Sequence, residues 1–224
     1  RENLLAALGS LDEPPSAAIA AIRTALTDPS PRVVERALVA TGSLGFYAAE
    51  SLPGLERMLA DAEPGTWIVA GARWRGDDIR MQIAGALARV SSGVHTEALS
   101  VLMASAHHDR IASAERAIAH LRDLTGRAEP VVEELMTMLR RGDVGRPVVS
   151  PAIFAISPGL LPAVLEILTR RAAAQDMPTA WSADRELLSL ALEHGDTDEL
   201  RSLTPALVAT LNARSSSADG LQLA

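Results

Sequence analysis

The sequence predicts an all-α chain, a solenoid of about six helical hairpins. Three observations predict it. Apolar residues recur with the 3.6-residue helical period. One helix–turn–helix pattern returns at intervals of 33, 46 and 34 residues. Hydrophobic residues reach 48%, largely Ala and Leu, while aromatics stay at 3%, which favours close-packed helices over a β-sandwich.

The clearest hairpin lies in 28–62. Its first helix, Arg32 to Leu44, puts Val33, Val34, Ala37, Leu38, Thr41 and Leu44 on one face. Asp28-Pro29-Ser30-Pro31 marks the start, with Ser30 expected to cap the free amides and Pro31 to fill the first helical position. Gly42 and Gly45 are expected to close the helix in a tight turn. The second helix carries Pro53 near its first turn and Leu52, Leu55, Met58 and Leu59 on one stripe. Such a hairpin has one apolar side that it cannot bury alone, so the unit must repeat.

Taking the chain in order, Asn3 to Leu11 matches the end of that first helix, with Leu8 at the place of Thr41 and Leu11 at that of Leu44. A partner helix follows from about Pro15 to Leu26, with Ile19, Ile22 and Leu26 apolar. The third unit opens at Asp78-Ile79-Arg80 and keeps Ile83, Ala84, Leu87 and Val90 in phase, then Leu99, Leu102 and Met103. The fourth has Ala117, Ile118, Leu121 and Leu124, then Pro130, Val131, Leu135 and Leu139. Positions 8, 41, 87 and 121 are thus equivalent, and the long interval holds an insertion at 63–76. Leu161 to Leu168 copies Leu52 to Leu59, while Pro147 and Pro151 shorten the first helix expected in Val144 to Ile156. The last unit pairs Asp184–His194 with Leu200–Leu211. The expected repeats are therefore about 1–27, 28–62, 77–107, 109–142, 144–173 and 182–212, within a repeat domain 1–213 and before a flexible tail, 214–224. The first residue is Arg1 and helical pattern begins at once, as expected of an excerpt from a longer chain.

Asp78-Ile79-Arg80, Ile83-Ala84 and Ala86-Leu87 together resemble the HEAT-repeat motif, especially the short bacterial, PBS-lyase-type HEAT-like repeats. The resemblance covers about three-quarters of the chain and is strongest in repeats two to four. Val34 and Ala114 stand where the motif has Arg. The Trp and Tyr positions of tetratricopeptide repeats are absent. The resemblance implies a right-handed α-α superhelix that holds other macromolecules. The function it implies is a non-enzymatic protein–protein interaction scaffold or regulatory module, whose partner is another protein or another domain of the parent chain.

In a solenoid the apolar stripes are consumed by stacking, so recognition falls to the joints. The insertion carries Trp67, Arg73, Trp74 and Arg75, in a layout that suits a small β-hairpin. Later connections of the same type hold Arg140, Arg141 and Arg146, then Arg170, Arg171 and Trp181. By topology all three belong on one edge, and Trp with Arg is the pairing that most often anchors interfaces. The same residues have a structural use: indoles seal repeat ends, and arginines complement the last turns of helices.

Other chemistry is thin. With no Cys and no Lys, disulfides, Cys-ligated zinc, Schiff-base chemistry and a Walker lysine are excluded. Of the five His, only His107-His108 cluster, beside Asp109, and adjacent helical residues diverge, so no metal site is expected. The His-Glu dipeptides of iron-binding HEAT hydroxylases are missing. Asp77-Asp78 and Glu133-Glu134 suit a helix start and a polar face. Gly42-Ser43-Leu44-Gly45 lacks the spacing of a nucleophile elbow. No cofactor is implied. No apolar run approaches the roughly 18 residues of a membrane span, and a cytoplasmic location is expected. A net charge of −7 argues against general nucleic-acid binding. An alternative resemblance, to the HEAT-like alkylpurine DNA glycosylases, would place Trp67, Trp74, Arg73, Arg75 and Asp77 or Asp78 in a groove, against the same charge. Bilin-lyase-like HEAT proteins are a further alternative.

Overall fold

The computed structural model describes residues 2–62, 66–69, 72–107, 111–141 and 148–173. The expected sixth repeat and the tail lie outside them. Apart from one two-stranded ribbon, the regular structure of these residues is helical. The chain divides into two compact units, Arg1–Ala128 and Glu129–Ala224.

The first unit contains α1 (Glu2–Gly9), α2 (Ser16–Ala25), α3 (Pro31–Leu44), α4 (Leu52–Asp61), β1 (Thr66–Val69), β2 (Ala72–Arg75), α5 (Gly76–Val90), α6 (Thr96–Ala106) and α7 (Ile111–Asp123). The expected face of α3 is the buried one: Val33, Val34, Ala37, Leu38, Thr41 and Leu44 all lie inside. Thr41 is tolerated there because its hydroxyl donates to the Ala37 carbonyl at 2.7 Å, four residues back. Several local expectations are corrected. The Ser30 side chain makes no capping bond. Instead its backbone N–H donates to Asp28 Oδ1 at 2.8 Å, so Asp28 organises the turn and Pro31 starts the helix. Gly42 does not end α3 but sits buried inside it; Gly45, at φ +53°, ends it. The link to α4 is a 3-10 segment, Gly45–Ser51, rather than a tight turn, and it presents Phe46 and Tyr47 to solvent. Leu11 also departs from expectation: α1 stops at Gly9, so Leu11 lies beyond the helix and is 40% exposed, against 4% for Leu44.

Within the first unit, helices packed on one another are close in chain order. The first helices touch in sequence, α1 on α3, α3 on α5 and α5 on α7. The second helices lie beside them, α2 on α3, α4 and α6 on α5, with α6 also on α7. α5 is thus flanked by four helices, which is why Ile79, Met81, Ile83, Ala84, Leu87 and Val90 all lie at 0% exposure. Each such large side chain contributes about 1.5–3 kcal/mol of burial.

The second unit contains α8 (Val132–Arg141), α9 (Val149–Ile156) and α10 (Leu161–Ala173). α8 buries Val132, Leu135, Met136, Met138 and Leu139 and leaves Glu133, Glu134, Arg140 and Arg141 outside. α9 has only eight residues, with Pro151 in its first turn, as the prolines required. α10 begins at Leu161 and buries Leu161 and Val164. These three helices pack on one another.

Candidate functional site

Positions made equivalent by the repeat meet at equivalent places. Gly9 and Gly42 share one repeat position, and Ala40 and Ala86 share another. A Cβ placed on Gly9 would lie 2.8 Å from Ala40 Cα, and one on Gly42 would lie 3.6 Å from Ala86 Cα. The α1–α3 and α3–α5 seams therefore repeat one small-residue contact. In the next seam the equivalent of Ala40 and Ala86 is His120. An imidazole replaces a methyl group, and Gly85 makes room for it: a Cβ there would fall 2.6 Å from His120 Nδ1 and 2.9 Å from Cγ.

The same register lines up side chains across α3, α5 and α7. One row is Arg36, Gln82 and Arg116; the next holds Ala40, Ala86 and His120; a third is Ser43, Arg89 and Asp123. Gln82, Ala86, His120, Ser43, Arg89 and Asp123 of these rows, with Leu38, Val39 and Gly42, line a groove of about 480 Å³. That volume falls in the range of about 300–1,000 Å³ typical of ligand sites. α5 supplies the central strip, Gln82, Ala86 and Arg89, at helical spacing. Arg89 crosses one end. Its Nη2 pairs with Asp123 Oδ2 at 2.5 Å, and its Nη1 lies over Gly42, 3.4 Å from where a Cβ would stand.

His120 is largely buried, and its Nδ1 has no hydrogen-bond partner. Burial pushes its pKa down from 6.5 to about 4, helped by the Arg89 guanidinium. The Asp123 carboxylate opposes this, and Arg116 adds a smaller push downward. His120 is therefore a neutral imidazole at physiological pH, with the effect of Arg89 on the ring larger than that of Asp123.

A second cluster is structural. Arg127 Nη1 donates to the carbonyls of Ala88, Arg89 and Ser91 at 3.2, 3.1 and 2.7 Å. It caps the C-terminus of α5, whose own sequence offers no glycine there. His95 Nδ1 accepts from the Ala98 N–H at 3.3 Å and caps the start of α6. Its Nε2 is 3.9 Å from Glu56 Oε1. Among the described residues no group of three or more His, Cys, Asp or Glu side chains could hold a metal ion.

The residues singled out in the sequence divide between the units. Trp67, Arg73, Trp74 and Arg75 fall in the ribbon, where antiparallel register sets Trp67 opposite Trp74 and Ile68 opposite Arg73. Both strands touch α5. Arg140 and Arg141 end α8, and Arg140 Nη1 pairs with Glu133 Oε1 at 2.8 Å. Arg170 pairs with Glu166 one turn away, and Arg171 lies in α10. Arg146 and Trp181 lie outside the described residues. The groove was missed, although its signal was present: His120 is a large polar residue at a repeat position otherwise held by Ala. Arg127 gave no such signal, since its acceptors lie 36 to 39 residues back.

No family model, curated protein or solved structure matches the chain. Among the described residues no helix is long and apolar enough to cross a membrane.

Proposed function

We propose that the chain is a non-enzymatic protein-interaction scaffold or regulatory module built on HEAT-like repeats, stacked as a right-handed α-solenoid. The observation that carries this reading is the recurrence of the Gly9–Ala40 contact as Gly42–Ala86. Units joined by the same small-residue contact stack in series, and a series leaves an open surface along its first helices. The groove over α5 is that surface, and Val39, 46% exposed on its wall, is available to a partner. Its side chains supply hydrogen bonds and one guanidinium without an assembled nucleophile, base and orienter, which favours holding over catalysis.

The test is site-specific photo-cross-linking in the native host, with the reactive residue at position 39 in one variant and at position 74 in another. The scaffold reading expects a discrete protein adduct from position 39. Adducts from position 74 alone would move the interface to the ribbon. No adduct from either, together with DNA retardation in a low-salt gel shift at micromolar protein, would replace the scaffold with the glycosylase-like alternative.

A further inference from the structure

The groove over α5 has a chemistry at odds with the rest of the chain. The protein carries a net charge of −7. In the groove over α5, by contrast, the charged lining residues are one cation and one carboxylate, Arg89 and Asp123. We propose that this groove is a carboxylate-binding site, taking an acidic side chain of a partner peptide flanked by apolar residues. The inference rests on the scaffold reading and names the partner's chemistry.

Arg89 is the anchor. One of its N–H groups is engaged by Asp123, the pair is partly open to solvent at 21% and 42% exposure, and Nη1 lies over Gly42 with no side chain in the way. A guanidinium has five donors in a planar fork, so a second carboxylate can bind it without dislodging Asp123. Gln82 and the exposed Ser43 offer further donors, while Val39, Leu38 and Ala86 form the apolar wall against which flanking residues pack. Asp123 also accepts from Arg122 at 3.4 Å, which disperses its charge away from the groove. Because Asp123 already offsets Arg89, a phosphate dianion would be repelled more strongly than a single carboxylate.

His120 couples the site to protons. The charged groups facing it are Arg89 on α5 and Asp123 and Arg116 on its own helix. Arg116 is in turn 3.9 Å from Asp78 on α5. The α3 residues lining the groove are uncharged, and the one charged residue of α6, Glu97, is exposed. A bound carboxylate adds a negative charge beside the ring and raises the imidazole pKa from its depressed value, so binding takes up protons and tightens as pH falls.

The test is fluorescence polarisation with a short labelled Leu-Glu-Leu peptide and its Leu-Gln-Leu counterpart. Propionate and inorganic phosphate serve as competitors, and histidine NMR runs in parallel. The Glu peptide is expected to bind at least about 10-fold tighter than the Gln peptide, the discrimination typical of one charged hydrogen-bonding partner. Its affinity should rise between pH 7.5 and 5.5, and the His120 titration should move upward on saturation. Arg89→Ala should abolish that preference. Ser43→Asp, a change at an exposed position, should do so without altering the fold. Propionate should compete weakly; competition at the strength of the peptide itself would identify a free organic acid as the ligand and overturn the peptide assignment. Equal binding of both peptides, full binding by Ser43→Asp, or displacement by phosphate at lower concentration than propionate would overturn the site. If the Glu peptide fails while position 39 still cross-links to a protein, only the carboxylate chemistry is wrong; loss of both removes the scaffold reading as well.

Discussion

His120 makes the stability of the first unit depend on pH in a defined direction. Its pKa is lowered in the folded state from 6.5 to about 4. Between those values the unfolded chain binds the proton and the folded chain does not, so stability falls as pH falls. The stabilisation is complete above pH 6.5 and is lost progressively as pH falls toward 4. Full protonation at both states' limits corresponds to about 3 kcal/mol, at roughly 1.36 kcal/mol per pKa unit. At pH 5 the unfolded imidazole is almost fully charged and the folded one is not, which gives about 2 kcal/mol. Carboxylates also titrate in this range, so the measurement must be a difference. Urea unfolding of the wild type and of His120→Gln at pH 7.5 and pH 5 isolates the histidine. The wild type is expected to lose about 2 kcal/mol more than the variant. Equal losses would show that the ring is hydrated or charged in the folded protein. The neutral-imidazole account of the groove would then fail.

Two further outcomes follow from the seams. Gly85→Ala puts a Cβ 2.6 Å from His120 Nδ1 and should destabilise by about 1–3 kcal/mol. Adding His120→Ala, which restores the residue type found at Ala40 and Ala86, should recover most of that loss in a double-mutant cycle, whereas additive losses would mean that the two residues do not meet. Arg127→Ala removes three bonds to the end of α5 and should cost about 1.5–3 kcal/mol in urea unfolding. Arg127→Lys should recover only part of it, because an ammonium cannot reproduce the planar fork.

Helix positions and buried faces were legible because burial selects residues by period. The stripe Val33, Val34, Ala37, Leu38, Thr41 and Leu44 was readable from one sequence, and all six residues are buried. Pro151 likewise announced a short α9. Local chemistry was less legible where two residues compete for one role. Both Asp28 and Ser30 can organise the start of α3, and the sequence does not say that the aspartate does. Gly42 and Gly45 look alike as helix terminators, yet only Gly45 has a positive φ; Gly42 is small because α5 and Arg89 lie against it. That distinction needs the neighbouring repeat, not the local window. The ribbon of β1 and β2 was anticipated as a small hairpin from the layout of the insertion, and its register pairs the two tryptophans. The arginines of the later connections were grouped by topology alone, and Arg140 and Arg170 each spend charge on a carboxylate of their own helix.

The groove stayed hidden for a different reason. Averaging over repeats finds what recurs, and recurrence marks the residues that glue units together. A binding position departs from the repeat, as His120 departs from Ala40 and Ala86, and it needs a compensating departure, here Gly85, to be structurally possible. Neither residue means much alone: an isolated histidine is a surface residue by default, and an isolated helical glycine is a weak spot of about 1 kcal/mol. Together, 35 positions apart and in contact, they mark the one seam in the first unit where the small-residue contact gives way to a polar ring. Retaining a desolvated imidazole there costs stability that alanine would not, and the carboxylate site gives that cost a use.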